Sequence, residues 1–263
     1  MARSVIGDDA DGGSAAAPKT VRVWAASDLH GTDPAVLPVQ PNGCHVAVLA
    51  GDICPLPDFA IWTVDEQPVW LNEVVGAWAA SRPELHVVLV PGDHDVFFER
   101  RKDWRERLHL PPNVHLLIDS EADVCGLKFY GSPWVPWIKY STYTYRFAFM
   151  AVDDIRERMW FDCIPKDTDV MVTHSAPRLD ELALDCTLQY PTEIRYHHGS
   201  RELANAIRRV SPTLAVFGHV HTGDHAFVMT ESGTGLRNVS VLDEDYRLAY
   251  NPAIIDVPIR RRP

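Results

Sequence analysis

The segment LHVVLVPGDHD, residues 85–95, joins a strongly apolar run to a compact polar cluster. The run ends in four consecutive aliphatic residues, which is typical of a strand buried inside a sheet, and the Pro-Gly pair after it predicts a turn. Asp93, His94 and Asp95 therefore lie on a loop at the end of a strand, where open α/β sheets present ligand-binding side chains. A solvated turn would also contain Asp and Gly, so this segment alone leaves both interpretations open.

Further apolar runs along the chain also end at polar residues that can bind a metal. The runs and their polar ends are VRVWAAS (21–27) before Asp28 and His30, HVAVLA (45–50) before Asp52, DVMVT (169–173) before His174, and TLAVF (213–217) before His219 and His221. With the segment above, a buried strand is followed five times by such a residue. The recurrence favours a binding site over a set of unrelated turns.

Segments with helical spacing of apolar residues separate these strands. They lie at residues 67–82, 96–110, 146–160 and 200–210. The segment at 124–137 is predicted to form a hairpin and turn, and HAFVMT, RNVSVL and AIIDVP near the end to form further strands in a second, partly antiparallel sheet. The alternation predicts a layered α/β protein with helices covering sheets.

Length and charge limit the organisation and the partners. A chain of 263 residues without an internal linker favours a flexible leader at 1–20 and a single domain at 21–263. The formal net charge of −11 argues against a protein that follows nucleic acid by neutralising phosphates. It does not exclude a small anionic substrate held by metal ions.

The cysteines and the first residues bear on location. The five cysteines are dispersed, without a CxxC pair, which indicates reduced thiols and predicts a cytoplasmic protein. Residues 1–20 lack the apolar segment of a secretory signal and contain acidic residues that are unusual in a transit peptide. No apolar run of about 18 residues is present, so we expect no membrane span.

Eight residues at strand ends have side chains suited to metal chemistry. They are Asp28, His30, Asp52, Asp93, His94, His174, His219 and His221. A mixture of carboxylates and imidazoles suits first-row metals such as manganese, iron, zinc, nickel or cobalt. One metal needs three or four ligands, so this set is sufficient for two, with Asp52 able to bridge ions about 3.5–4 Å apart.

In order along the chain, the motifs SDLHG, AGDI, PGDHD, THSAP and GHVH resemble those of the calcineurin-like metallophosphoesterases. The resemblance extends from about residue 21 to about residue 230, and FYGSPWVPW resembles a small phosphodiesterase-like subgroup. It implies a four-layered α/β/β/α sandwich of two mixed sheets with a dinuclear metal site at their edge. The implied activity is hydrolysis of phosphate esters by a hydroxide that bridges two divalent metals.

The same resemblance implies a role for each site residue. Asp28, His30, Asp52 and His221 would bind the first metal, and Asp52, Asp93, His174 and His219 the second. His94 would lie outside the coordination shell and, when protonated, donate to the phosphate or to the leaving oxygen. Asp95 would orient the His94 ring.

One position departs from the family pattern. The family usually has asparagine where this chain has Asp93, with the amide oxygen on the metal and the amide nitrogen available to the phosphate. An aspartate can ligate a metal, but in its ionised form it cannot donate a hydrogen bond. The sequence therefore predicts metal binding more strongly than full catalytic competence.

The resemblance leads us to expect a metallophosphoesterase, more specifically a phosphodiesterase that acts on small phosphate esters or nucleotides. The alternatives are a nuclease, which the acidic charge disfavours, and a binding scaffold that has lost catalysis, which the complete set of ligands disfavours. The identity of the substrate, the native metals and the oligomeric state are left open by the sequence.

Aromatic residues and histidines outside the motifs have two interpretations each. Trp134 and Trp137 could line a pocket that stacks a base, or they could be part of ordinary hairpin packing. His197, His198 and His225 could border a substrate, or they could be surface residues.

Overall fold

The computed structural model describes residues 20–56, 64–137, 147–179, 187–189, 195–197 and 199–260. The predicted leader lies outside the described residues apart from residue 20, as do His198 and the side chain of His197. The assignment of residues 21–263 to a single domain stays a prediction.

The strands of the described part are β1 (Thr20–Ala26), β2 (Val46–Ala50), β3 (His86–Val90), β4 (Val114–Leu116), β5 (Ser120–Val124), β6 (Leu127–Ser132), β7 (Val135–Pro136), β8 (Met150–Ala151), β9 (Val170–Thr173), β10 (Thr187–Gln189), β11 (Arg195–His197), β12 (Leu214–Phe217), β13 (Val228–Met229), β14 (Gly235–Asn238) and β15 (Ala253–Pro258). The helices are α1 (Glu66–Trp70), a π-helical segment (Leu71–Gly76), α2 (Ala77–Ala80), α3 (Phe97–Arg100), α4 (Trp104–Arg107), α5 (Asp154–Asp162) and α6 (Arg201–Val210), with a 3-10 turn at Pro34–Val36.

Two mixed sheets form the centre of the molecule. The first has five strands in the order β15-β1-β2-β3-β4, in which β15 is antiparallel to β1 and the others run parallel. The second has six strands in the order β13-β14-β12-β9-β6-β5, in which the two edge strands are antiparallel to their neighbours. The parallel strands of both sheets direct their carboxyl ends to the loops that carry the polar motifs.

Successive side chains of a strand point to opposite faces of its sheet, so the apolar residues form three separate cores. Residues that face the opposite sheet include Val23, Val48, Val88, Phe129, Val172 and Val216. On the outer face of the first sheet, Trp24 and Leu89 pack against Val75 and Trp78 of the helical segment at 66–80. The outer face of the second sheet packs against α5 and α6. The chain therefore forms helix, sheet, sheet and helix layers, which confirms the four-layered sandwich.

The structure confirms two of the predicted helices and contradicts a third. The helix expected at 67–82 spans 66–80 and contains the π-helical segment, and the helix expected at 200–210 begins after the Ser200 side chain, which accepts a hydrogen bond from Leu203 N. The single helix predicted over 96–110 is wrong, because Arg101 is extended and separates two short helices. Phe97 and Phe98 are buried, whereas Trp104 and Leu108 are only partly buried, so the second half of the segment has less apolar contact with which to hold one long helix.

Two other sequence predictions are corrected. The helix expected over 146–160 begins only at Asp154, because the Asp153 side chain accepts from Arg156 N and caps it, while β8 precedes it as a strand paired with β7. The segment AIIDVP does not join the second sheet, but closes the edge of the first as β15. HAFVMT contains β13 of the second sheet, as expected, whereas β14 spans Gly235–Asn238 and includes only the first two residues of RNVSVL. In the described ranges no helix is long and apolar enough to span a membrane.

Candidate metal centre

The strand-end residues of both sheets meet in two adjoining groups. The first consists of Asp28, His30 and His221, and the second of Asp93, His174 and His219; within each group one potential ligand atom per residue lies within 4.8 Å of the others. Each group takes residues from both sheets. Asp28 and Asp93 follow strands of the first sheet, whereas His174, His219 and His221 follow strands of the second. The side chains predicted as ligands are thus brought together.

Asp52 lies between the two groups. Its Oδ2 is 3.6 Å from His30 Nε2, and its Oδ1 is 3.3 Å from His174 Nε2. In the second group, Asp93 Oδ1 is 3.0 Å from His174 Nε2 and 3.1 Å from His219 Nδ1. In the first group, His221 Nε2 is 3.3 Å from Asp28 Oδ1. One carboxylate oxygen of Asp52 therefore faces each group, the arrangement that a bridging ligand requires.

The backbone at this edge is locally strained. Asp28, His30, Asp52 and His219 have positive φ angles of 56°, 42°, 50° and 68°. Side-chain-bearing residues adopt this left-handed region at an energetic cost, and such residues concentrate at functional sites. Hydrogen bonds fix the conformation, since Asp28 N donates to Gly51 O at 2.9 Å and His30 N donates to Asp52 O at 2.9 Å.

Two motif glycines are required by close packing. A Cβ atom on Gly51, whose φ is 98°, would lie 2.1 Å from His174 Nδ1. A Cβ atom on Gly92 would lie 2.2 Å from Asp52 Oδ1. The glycines before Asp52 and Asp93 therefore let the carboxylates and the His174 ring approach each other.

Backbone carbonyls select the orientation of two imidazoles. His174 Nδ1 lies 3.1 Å from Ala50 O, and His221 Nδ1 lies 2.9 Å from Asp243 O. Because a carbonyl only accepts, each Nδ1 carries the proton in these contacts, and the Nε2 lone pair of the neutral ring faces the carboxylates. Both rings are therefore held in the tautomer that suits coordination through Nε2.

Two serines hold Asp28 from the side away from His221. The hydroxyls of Ser27 and Ser240 both donate to Asp28 Oδ2, the latter at 2.6 Å. His219 N also lies 3.1 Å from both Asp28 oxygens. The carboxylate is thereby fixed with Oδ1 toward His221. Sequence analysis did not identify Ser240, which lies 212 residues from Asp28 in the chain and follows no recognised motif.

Asp95 does not orient His94, so the predicted role is wrong. Its buried carboxylate instead accepts hydrogen bonds from Ile53 N, Cys54 N and Gly92 N, at 2.8 to 3.2 Å. The reason is geometric, since the turn directs Asp95 under the loop while His94 points to the cluster. Asp95 therefore joins the loop that carries Asp52 to the loop that carries Asp93.

His94 lies beside the two groups of ligands. Its ring is edge-on to His30 with centroids 5.0 Å apart, contacts the Phe147 ring at 4.6 Å, and places Nε2 4.0 Å from Asp93 Oδ2. Its backbone N donates to Asp52 Oδ1 at 2.8 Å. The buried Nδ1 has no hydrogen-bond partner in the described structure. His94 therefore lies beside the carboxylate and histidine groups without being a member of either.

The carboxylates and histidines of the cluster shift each other's pKa across short distances. Burial acts to raise the pKa of Asp28, but the hydrogen bond and charge of His221 outweigh it and the pKa is lowered. Burial likewise acts to lower the pKa of His221, but Asp28 raises it to about 9. The pKa of His174 is also raised, since Asp52 and Asp93 outweigh its burial, whereas burial lowers the pKa of His30 to about 4. Protons on histidines thus compensate the buried carboxylates when no metal is bound.

A metal fits the chemistry of this set. Both ring nitrogens of His30 are buried without a hydrogen-bond partner in the described structure, a costly state for a polar group. A cation coordinated by the ring would satisfy one of them. The donors are carboxylate oxygens and imidazole nitrogens, which first-row transition metals accept together.

Tyr246 also contacts this cluster of carboxylates and histidines, although no sequence motif pointed to it. Its ring is edge-on to His30 at 4.8 Å and to His221 at 5.6 Å. The pKa of its phenol is raised, first by burial and then by the negative charges of Asp52, Asp93 and Asp28. The tyrosine therefore belongs to the surroundings of the site.

Trp134 and His225 pack against other aromatic residues. Trp134 stacks on Trp160 with centroids 4.4 Å apart, and its Nε1 donates to Asp119 Oδ2 at 2.7 Å. The two rings line a mainly apolar cavity of about 290 Å³. His225 stacks on Tyr250 at 3.7 Å. These contacts account for the packing of Trp134 and His225.

Comparison with known proteins agrees with this geometry. The sequence model described as calcineurin-like phosphoesterase matches residues 21–223. Metallophosphoesterase domain-containing protein 1 of Homo sapiens is 28% identical over 267 residues, covering 93% of this chain and 73% of that protein. A UPF0046 protein of Caenorhabditis elegans is 28% identical over 263 residues, covering 91% of this chain and 82% of that protein. One crystal structure superimposes with a TM-score of 0.55 at 16% identity, covering 92% of this chain and all 100% of its own, which supports the fold.

Proposed function

The chain belongs to the calcineurin-like phosphoesterase family, and we propose that it acts as a phosphodiesterase on small phosphate esters or nucleotides. Its membership makes it a metal-dependent phosphoesterase that uses two divalent metal ions. The narrower reaction and the role of each residue are the proposal. The single observation that carries it is the position of Asp52 between two groups of carboxylates and histidines.

We assign the ligands from this arrangement. The first metal would be held by Asp28, His30, Asp52 and His221, and the second by Asp52, Asp93, His174 and His219. The carbonyl contacts of His174 and His221 support the assignment, because they leave Nε2 of each ring with a lone pair. Each ion would be manganese, iron, zinc, nickel or cobalt.

Divalent metals supply Lewis-acid chemistry, namely activation of water and neutralisation of phosphate charge. The protein's own contribution begins with His94, whose Nδ1 has no partner in the described structure and whose ring adjoins the cluster. We assign His94 to donate a hydrogen bond, or a proton, to the phosphate or the leaving oxygen. Asp95 is a positioning residue that keeps the loops of Asp52 and Asp93 in register.

The charge around the site favours a small substrate. The backbone carbonyl of Asp243 accepts from His221, and the loop beside this contact carries Asp243, Glu244 and Asp245 with one cation, Arg247, so its net charge is negative. With a net charge of −11, the protein would repel a polyanion more strongly than a single phosphate ester. This supports the phosphodiesterase over the nuclease. The convergence of every predicted ligand supports an enzyme over a binding scaffold.

The cysteines support a cytoplasmic location as a proposal. Cys44, Cys54, Cys125 and Cys163 are free thiols in the described structure. Reduced, dispersed cysteines are usual in reducing compartments.

The test is reconstitution with each candidate metal followed by a substrate panel. We expect elemental analysis to give two ions per chain, and the loaded protein to hydrolyse phosphodiesters or nucleotides faster than large nucleic acids. The Asp52→Ala protein should lose metal and activity together, and Asp245→Asn, an exposed change, should retain both. A saturating ratio of one ion per chain would reject the shared ligand, and inactivity of the loaded protein on the whole panel would favour the scaffold.

A further inference from the structure

The loop at 243–247 is tied to a proposed metal ligand. Asp243 O accepts from His221 Nδ1 and from Tyr246 N, both at 2.9 Å. The Asp243 side chain accepts from Asp245 N and Arg247 N, also at 2.9 Å, and Asp243 N donates to Arg247 O at 2.8 Å. These bonds fix the conformation of the loop relative to His221.

Tyr246 has a backbone conformation that is unfavourable for its residue type. Its φ is 58°, in the left-handed region that bulky residues rarely adopt. The internal bonds of the loop hold it there, and strain of this kind is a reason to look for a role in function. The residue is 46% exposed, so one part of it contacts the cluster while another part remains accessible to a ligand.

Three rings contact His30, namely those of His94, His221 and Tyr246. The His221 Nδ1 proton is used by Asp243 O, whereas the His94 Nδ1 has no partner in the described structure. The Tyr246 hydroxyl also forms no hydrogen bond with the described residues. The Tyr246 ring is edge-on to both His30 and His221, so it lies against the first group of ligands.

A phosphate at the cluster needs hydrogen-bond donors as well as cations. The three carboxylates Asp28, Asp52 and Asp93 can only accept when ionised, and the coordinating ring nitrogens are used by metal. Among the described residues, His94 and Tyr246 are two potential donors whose rings adjoin His30. A neutral phenol is a suitable donor to an anionic oxygen, because it adds no charge of its own.

We propose that Tyr246 is a substrate-contacting residue, whose hydroxyl donates a hydrogen bond to an oxygen of the phosphate group bound at the cluster. This rests on the proposed function in that it requires a phosphate ligand at the same site. The contact would come from the loop at 243–247, which follows all five motifs in the chain. It would join the loop beside the first group of ligands to the bound ester. His94 and Tyr246 would then contact the phosphate from two sides of His30.

The test compares Tyr246→Phe with the parent protein, both reconstituted with metal. The substitution removes one oxygen and keeps the ring against His30, so we expect two ions per chain as in the parent. The expected losses are about 10- to 100-fold in kcat/KM and in affinity for inorganic phosphate, the range for one hydrogen bond to a charged group. Tyr250→Phe is the matched control, because Tyr250 stacks on His225 and lies in the next turn of the same chain segment. It should match the parent.

Affinity for inorganic phosphate separates failure of this inference from failure of the proposed function. If the parent binds phosphate but hydrolyses no ester, a weaker affinity in Tyr246→Phe still supports the contact while the phosphodiesterase is rejected. Equal phosphate affinity and equal kcat/KM in the two proteins overturn the contact. Loss of metal from Tyr246→Phe also overturns it, since the hydroxyl would then serve the cluster itself, as does a loaded parent that binds no phosphate.

Discussion

Replacing Asp93 with asparagine removes one negative charge from the centre of the site while keeping the size of the side chain. Asp93 is 2% exposed, and its Oδ1 lies within 3.1 Å of a ring nitrogen of both His174 and His219. The amide oxygen can still face a metal, and the amide nitrogen can donate to a phosphate, which the ionised carboxylate cannot do. We expect the variant to hydrolyse phosphate esters faster and to retain the second metal less tightly.

The magnitude follows from the charge near a bound phosphate. Two divalent ions and three ionised carboxylates give the parent cluster a charge of about +1, and the variant one of about +2. One charge at ~4 Å is worth at most about 4 kcal/mol at an effective dielectric constant of ~20. That limit corresponds to roughly a thousandfold, and sharing of charge with the metal reduces it. The expected gain in kcat/KM is therefore about 10- to 100-fold, at saturating metal.

The assay needs equal occupancy by metal in both proteins. Each is reconstituted, its metal content is measured, and kcat/KM is then determined on the same esters in excess metal. Dialysis against a weak chelator follows, and the variant should lose the second ion first. Asp245→Asn is the control for charge alone, because Asp245 is exposed and pairs with Arg247. We expect it to change kcat/KM by less than about twofold, since exposed charges are screened.

A slower variant would refute this reasoning. If Asp93→Asn, at verified equal occupancy, is tenfold slower than the parent across the panel, then the carboxylate serves catalysis directly. If it instead retains metal as tightly as the parent, the negative charge contributes nothing to holding the second ion. Either result requires a different account of position 93.

Further changes test the rest of the site. His94→Ala should lower turnover by about 10²–10⁴ with two ions still bound, because the residue is assigned to donation and not to coordination; stopped assays on esters with poor leaving groups measure it, and parental activity there would contradict the assignment. Metal binding should release protons, because the pKa of His174 is raised and that of His221 is raised to about 9. The affinity for metal should therefore fall as pH drops below 9. Calorimetry in buffers of different ionisation enthalpy counts the released protons, and a metal affinity that does not depend on pH would contradict this prediction. Ser240→Ala should weaken binding of the first metal by about 10- to 100-fold, since its hydroxyl fixes Asp28; a chelator titration is the measurement, and an unchanged affinity would remove Ser240 from the site.

The parts of the fold that repeat a simple physical pattern were predictable. Buried strands such as β2 and β3 are unbroken aliphatic runs, and the loop after each carries its polar residue, so the strands and the convergence of their ends followed from the sequence. The helix at 201–210 has buried residues on one face and a serine cap, which is again a local signal. The family resemblance supplied the pairing of the two sheets.

The rest depends on contacts that have no local signature. Ser240 and Tyr246 reach the cluster because the chain returns beside His221 after β14, and neither is preceded by a recognised motif. Asp95 was assigned to His94 because they are neighbours in sequence, but consecutive residues of a turn point in different directions. The break at Arg101 accompanies weaker burial of the second half of the segment, at Trp104 and Leu108, which the spacing of apolar residues does not reveal.

Each half of the cluster takes residues from both sheets, and this determines when the site can form during synthesis. The first half requires His221 and the second requires His219, so a growing chain that has emerged only through β9 has neither half complete. Asp28, Asp52 and Asp93 are synthesised well before His219 and His221, so both proposed ligand sets stay incomplete until these histidines have been made. With the proposed ligands, metal loading would therefore follow synthesis of both sheets, and the assembled protein would select the ion.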